Sequence, residues 1–215
     1  NALINSGAGN DTLVNGANST ATTITASGAA TVNNQGAFAN ITLADADDSI
    51  YTAGNSVTVN AANGNNTLNN FGSSGTFTFG TGNDYFYSSK EASAIRTSLG
   101  DGNNTVISYA ANSTISAGSN DDHVYNGAGA ASVSISTAAG NNTIQNFGSD
   151  VSISAGSGND TIFNYADAAG AIINAGTGNN YLRNMAGGVS IKSGSDADAI
   201  YNCCRQFEIG GGEEI

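Results

Sequence analysis

One turn site recurs from end to end of the chain: Asp11, Ala30, Asp48, Asn66, Asp84, Asn104, Asp122, Asn142, Asp160, Asn180 and Asp198, at intervals of 18 to 20 residues. Aspartate alternates with a neutral residue at every step. A chain whose turn returns at that interval stacks coil upon coil, because each short unit can bury its apolar face only against its neighbours. The predicted fold class is all-β, a parallel β-solenoid (β-roll or β-helix) of about eleven coils over residues 1–202. Residues 203–215 break the period and read as an irregular tail, a poor cap, linker or docking strand.

Composition agrees with a slender rod. Gly, Asn, Ser, Thr and Ala dominate the 215 residues, Trp and Pro are absent, and 10% are charged. Large apolar side chains are too few for a core of globular thickness but sufficient for one that is one or two side chains wide. The net charge of −12, with five Lys and Arg, excludes nucleic acid, which requires a run of neutralised phosphates. It also disfavours anionic membrane surfaces, and no apolar run is long enough for membrane insertion. Eleven of the thirteen aspartates lie in the recurring turn, so one edge of the rod is acidic. Cys203 and Cys204 are adjacent, and neighbouring cysteines seldom pair with each other; they read as two thiols or as an intermolecular crosslink. The sequence starts inside a repeat, which points to a piece of something longer.

Within one coil, residues 151–165 (VSISAGSGNDTIFNY) read as strand, Gly-rich turn, strand. Side chains alternate faces along a strand, so Ile162 points inward and Thr161 and Phe163 outward. The inward site two residues past the ladder holds Leu13, Val32, Ile50, Leu68, Phe86, Val106, Val124, Ile144, Ile162, Leu182 and Ile200, all apolar. Its β-branched bias suits strands, and no helical apolar period appears anywhere. Two residues further, Asn15, Asn34, Asn70, Asn126, Asn146, Asn164, Asn184 and Asn202 form a second ladder at an inward corner. Thr52, Ser88 and Ser108 are its exceptions. Amides stacked about 4.8 Å apart can bond one another along the axis.

A two-coil rhythm overlies the single coil. On aspartate coils the outward site after the core residue is Val14 at the start and then Tyr51, Tyr87, Tyr125, Phe163 and Tyr201; on the others an aromatic or Met stands two places on, at Phe71, Tyr109, Phe147 and Met185. The true repeat is therefore 38 residues. Carboxylates at every rung would sit about 4.8 Å apart and repel one another strongly. Interleaved Asn doubles that separation and keeps the turn chemistry.

The turns GAGNDTL (7–13), GTGNDYF (80–86) and GSGNDTI (156–162) resemble the G-G-x-G-x-D-x-U-x nonapeptide of calcium-binding RTX (hemolysin-type) repeats. The resemblance implies a parallel β-roll with two units per coil, and calcium as cofactor between successive turns. It implies Asp11, Asp48, Asp84, Asp122, Asp160 and Asp198 as metal ligands, together with turn carbonyls. The opposite turn of each coil lacks the motif, and every second motif carries Asn, or Ala30, for Asp. Calcium takes about six to eight oxygens, so a single carboxylate would have to be completed by carbonyl and amide oxygens. Gly-Asn-Asp also makes a tight turn without metal, Gly and Asn supplying positive φ, and both readings stand. The GTGND turn is similar as well to ice-binding members of the calcium β-roll family, which need the same Thr on each coil. Here that site reads Ala8, Ser27, Asp45, Asn63, Thr81, Asp101 and onward without uniformity, so no ice face is expected at this turn.

His123, the single histidine, stands at an outward site without partners for a triad or a zinc site. No catalytic residue is assigned and no enzyme is expected. The functional expectation is an extracellular structural rod, a fibre subunit or the stalk of a bacterial surface or adhesin-like protein. It would associate with itself end to end or side by side, with Tyr51, Tyr87, Tyr125, Phe163 and Tyr201 packing between rods. The alternative is a calcium-dependent RTX-type module that folds on secretion and serves binding or export.

Overall fold

The structure, a computed structural model, describes residues 2–203 and, for their backbone only, residues 207–209. These residues form 23 strands and no helix. The odd-numbered strands make one 12-stranded sheet, from β1 (Leu3–Asn5) to β23 (Phe207–Ile209). The even-numbered strands make a second sheet of 11, from β2 (Asp11–Asn15) to β22 (Ala199–Asn202). Every pairing is parallel and joins residues one coil apart: Phe86 lies beside Leu68 on one side and Val106 on the other. The chain is therefore a parallel β-solenoid of about eleven turns, as its periodicity predicts.

The two sheets face each other across a narrow core. The stripe from Leu13 to Leu182 is buried throughout, and Ile200 at its end is partly so. Facing it from the first sheet are Ile24, Ile41, Val59, Phe77, Ile115, Ile135, Ile153, Ile173 and Ile191, each no more than 1% exposed. Phe77 and Phe86 meet across the core with ring centroids 5.3 Å apart. That bulk is accommodated by a small neighbour: a Cβ on Gly75 would stand 2.4 Å from the Phe77 ring, far inside van der Waals contact.

The alternation of 18- and 20-residue coils has a local cause. Four-residue β-turns close at Gly16–Ser19, Ser89–Ala92, Gly127–Ala130 and Tyr165–Ala168, the last N–H donating to the first C=O at 2.9 to 3.2 Å. Each follows an even-numbered strand and supplies the two extra residues, leaving the strand registers intact apart from a shift between Ser116 and Gly118. On the same side of the rod the chain passes once per coil through the left-handed region, at Ala21, Phe38, Ser56, Ser74, Ala94, Asn112, Ser132 and Asp150, with φ between 54° and 58°. Side chains with a Cβ tolerate this poorly. They are held there because each of these N–H groups donates to a carbonyl of the next coil at 2.8 to 3.0 Å.

In the tail, β23 hydrogen-bonds to β21 (Val189–Lys192) with Val189 opposite Phe207, so the first sheet continues past residue 202. Cys203 is a free, exposed thiol; residues 204–206, with Cys204 among them, and 210–215 lie outside the described residues.

Candidate metal centre

The recurring turn brings coils into backbone contact, and glycine is what permits the approach. A Cβ on Gly118, whose φ is +84°, would stand 1.6 Å from the carbonyl oxygen of Gly100 one coil earlier. Against this tight edge lies the alternating Asp/Asn ladder, its side chains pointing inward and buried from Asp48 to Asn180, with Asp11 and Asp198 half-buried.

The ladder is a side-chain-to-backbone zipper. From Asp48 to Asp198 the Oδ1 of each ladder residue accepts the backbone N–H of the ladder residue one coil earlier, at 2.7 to 3.1 Å. Asp and Asn perform this task alike. Ala30 interrupts it, and the N–H of Asp11 goes to the carbonyl of Ala29 instead.

The second side-chain atom separates the two residue types. In Asn66, Asn104, Asn142 and Asn180 the Nδ2 donates to the carbonyl of the glycine two residues earlier, at 3.0 to 3.1 Å. Asn104 also donates to Ala117 O at 2.8 Å, and Asn66 and Asn142 to the Oδ1 of the next aspartate at 3.0 and 2.9 Å. In Asp48, Asp84, Asp122 and Asp160, and in half-buried Asp11, the corresponding Oδ2 is enclosed and has no hydrogen-bond partner.

A buried carboxylate oxygen without a donor is electrostatically unfavourable. Burial pushes the carboxyls of Asp48, Asp84 and Asp160 up from 3.8 to about 6; the N–H groups that each accepts pull in the opposite direction. Asp122 is pushed up to about 7, burial again dominating, with Asp121 and Asp101 adding to the rise. A cation or a proton at Oδ2 would relieve each site. The donor set fits a hard cation: one unpartnered carboxylate oxygen on each aspartate coil from Asp11 to Asp160, that is every second coil, beside a turn rich in carbonyls. Among the described residues no three Asp, Glu, His or Cys side chains come together, so backbone oxygens would provide most of the shell.

Two further ladders brace the coil. At the inward corner Asn126, Asn146, Asn164 and Asn184 each donate Nδ2 to the Oδ1 of the next coil's Asn at 2.8 to 2.9 Å and to a corner carbonyl at 2.9 to 3.1 Å. Thr52 and Ser88 take the acceptor role where Asn is replaced. The residue before each main-ladder position forms an outer zipper of opposite sense. From Asp47 to Asn179 its Oδ1 accepts the N–H of the next coil's equivalent, at 2.6 to 3.1 Å. Sequence reasoning passed over it, although the Gly-Asn-Asx tripeptide carries its signature.

The outer faces differ in chemistry. On the second sheet the two expected aromatic stripes merge into one rail. Rings from Tyr51 through Phe71, Tyr87, Tyr109 and Tyr125 to Phe147 follow one another with centroids 5.1 to 6.3 Å apart. The rail continues through Tyr165, stacked on Phe147 at 3.9 Å, to Phe163, Tyr181 and Tyr201. The first sheet presents two columns of Thr, Ser and Asn that start at Thr23 and Thr25, interrupted by Arg96 and Ile172 and ending at Ser190 and Lys192, with no carboxylate. His123 is exposed.

Fold and turn together define a parallel β-solenoid with an acidic Asx-turn edge. The RTX calcium-binding nonapeptide repeat matches this chain in four copies, over residues 3–19, 99–133 and 148–168. Those stretches include the turns at 7–13 and 156–162; the one at 80–86 lies outside them. A crystal structure of a hyperactive, Ca2+-dependent, β-helical antifreeze protein from an Antarctic bacterium superposes with a TM-score of 0.56 at 17% identity, covering 99% of this chain and 82% of that one. At that identity the likeness is one of fold. No curated protein matches the sequence.

Proposed function

We propose that this chain is a rod segment of a secreted bacterial structural protein, a fibre subunit or the stalk of an adhesin-like surface protein, and that calcium at the aspartate rungs supports it. The reading rests on one observation: hydrogen bonds run from coil to coil around the whole cross-section, through two sheets and three side-chain ladders. The backbone of each coil bonds to its neighbouring coils, which suits an element whose property is length and stiffness. Rods would join end to end by continuing the sheets, and side by side through the aromatic rail. The RTX matches support secretion and calcium.

The unpartnered Oδ2 atoms favour a second reading, a module that stays unfolded until it meets calcium outside the cell. Far-UV circular dichroism and small-angle scattering, with calcium and with chelator, separate the two. An elongated particle whose β-signal survives chelation supports the rod; loss of both supports the module.

A further inference from the structure

We propose that the asparagine rungs are built-in substitutes for a metal ion. The Nδ2 group of Asn66, Asn104, Asn142 and Asn180 takes the position of Oδ2 on an aspartate rung and bonds directly to the turn oxygens that calcium would bridge to that Oδ2, so metal enters only every second coil. This rests on the calcium reading of the aspartate rungs given above.

Asp and Asn have the same shape, and along this ladder they make the same Oδ1 contact to the preceding coil. Superposing the two residue types places Oδ2 of an aspartate where Nδ2 of an asparagine lies. There the amide meets oxygen: Gly102 O and Ala117 O around Asn104, and Gly140 O and Asp160 Oδ1 around Asn142. Such a ring of acceptors suits a positively polarised centre, either an amide N–H or a cation. On aspartate rungs the same place is taken by an oxygen with no donor. One atom per coil, nitrogen or oxygen, thus decides whether the turn is closed internally or needs a cation.

The alternation also solves a charge problem. Filling every coil would put divalent ions and carboxylates one strand spacing apart, about 4.8 Å. Amide coils between them double that distance, and Asn66 and Asn142 donate directly to the neighbouring carboxylate. The asparagines are therefore positioning residues for the metal coils on either side.

Calcium chloride titration of the full chain by calorimetry, with bound metal counted after desalting, tests this on two variants. Asp84→Asn is expected to bind one calcium fewer than the parent, and in chelator to melt higher, by about 2–4 °C for each kcal/mol gained. Asn104→Asp, which creates three consecutive aspartate rungs, is expected to bind one calcium more and to melt lower in chelator. A parent that binds calcium alongside an Asn104→Asp count that is unchanged or reduced overturns the inference and leaves the calcium reading standing. So does an Asp84→Asn variant less stable in chelator than the parent, even if Asn104→Asp does not fold. A parent that binds no calcium defeats both.

Discussion

At the scale of single residues, the buried aspartates are the most informative side chains. The carboxyls of Asp48, Asp84 and Asp160 are pushed up to about 6 and that of Asp122 to about 7, so the folded chain holds protons that the unfolded chain has released. Their contribution to stability is full below the unfolded value of 3.8 and is lost as pH rises through about 6 to 7. In chelator, thermal melts are expected to give a higher midpoint near about pH 5 than near about pH 8, and saturating calcium should abolish that difference. A flat profile in chelator would remove the unpartnered oxygen from the argument. The corner amides are expected to be costly to lose. Asn146 donates to Gly148 O and Asn164 Oδ1 and accepts from Asn126 and Gly148, so Asn146→Ala strands several buried groups. Urea denaturation should register a loss of about 3 kcal/mol. Ala94, with φ 56°, is the opposite case: Ala94→Gly relieves a strained backbone and should be neutral or stabilising, by up to about 1 kcal/mol.

At the scale of strands and turns, what could be read in advance depended on how local its cause is. The eleven apolar residues from Leu13 to Ile200 and the corner asparagines were legible because strand parity fixes which way they point. The Asp/Asn ladder was legible as a column, but its polarity was not, because Oδ1 reaches back one coil while the outer zipper reaches forward. Only packing settles that. The left-handed corner was invisible: apart from Asn112 and Asp150 it is occupied by Ala, Phe and Ser, and inter-coil hydrogen bonds override their local preference. The aromatic rail read as two stripes because its rings lean toward one another across coils. Gly127 makes room for this, a Cβ there falling 2.3 Å from the Tyr109 ring. Gly127→Ala should therefore displace Tyr109, read as a change in near-ultraviolet circular dichroism with the far-ultraviolet signal preserved. If rods pack laterally through this rail, Tyr87→Ser together with Tyr125→Ser should weaken self-association in sedimentation velocity at high concentration without altering the melting midpoint by more than a few degrees.

At the scale of the whole molecule, stability is a sum of coil terms and nearest-neighbour interfaces, and the natural unit is 38 residues, the span from Asp84 to Asp122. Deleting residues 85–122 keeps both the alternation and the turn lengths in phase, and should leave a folded rod shorter by about 9.6 Å, twice the strand spacing. Deleting 85–104 alone would bring Asp84 and Asp122 onto adjacent rungs and should lower stability in chelator well beyond the loss of one coil. The most direct test of coils stacked on a common axis is a pair of distances between spin labels on the second sheet's outer face, with both native cysteines replaced. Labels at Thr67 and Thr143 stand four coils apart and labels at Thr31 and Thr161 seven coils apart. Electron double-resonance is expected to return separations near about 19 and about 34 Å, in proportion to the number of coils. Similar or broadly overlapping distances for the two pairs would contradict the stacked solenoid.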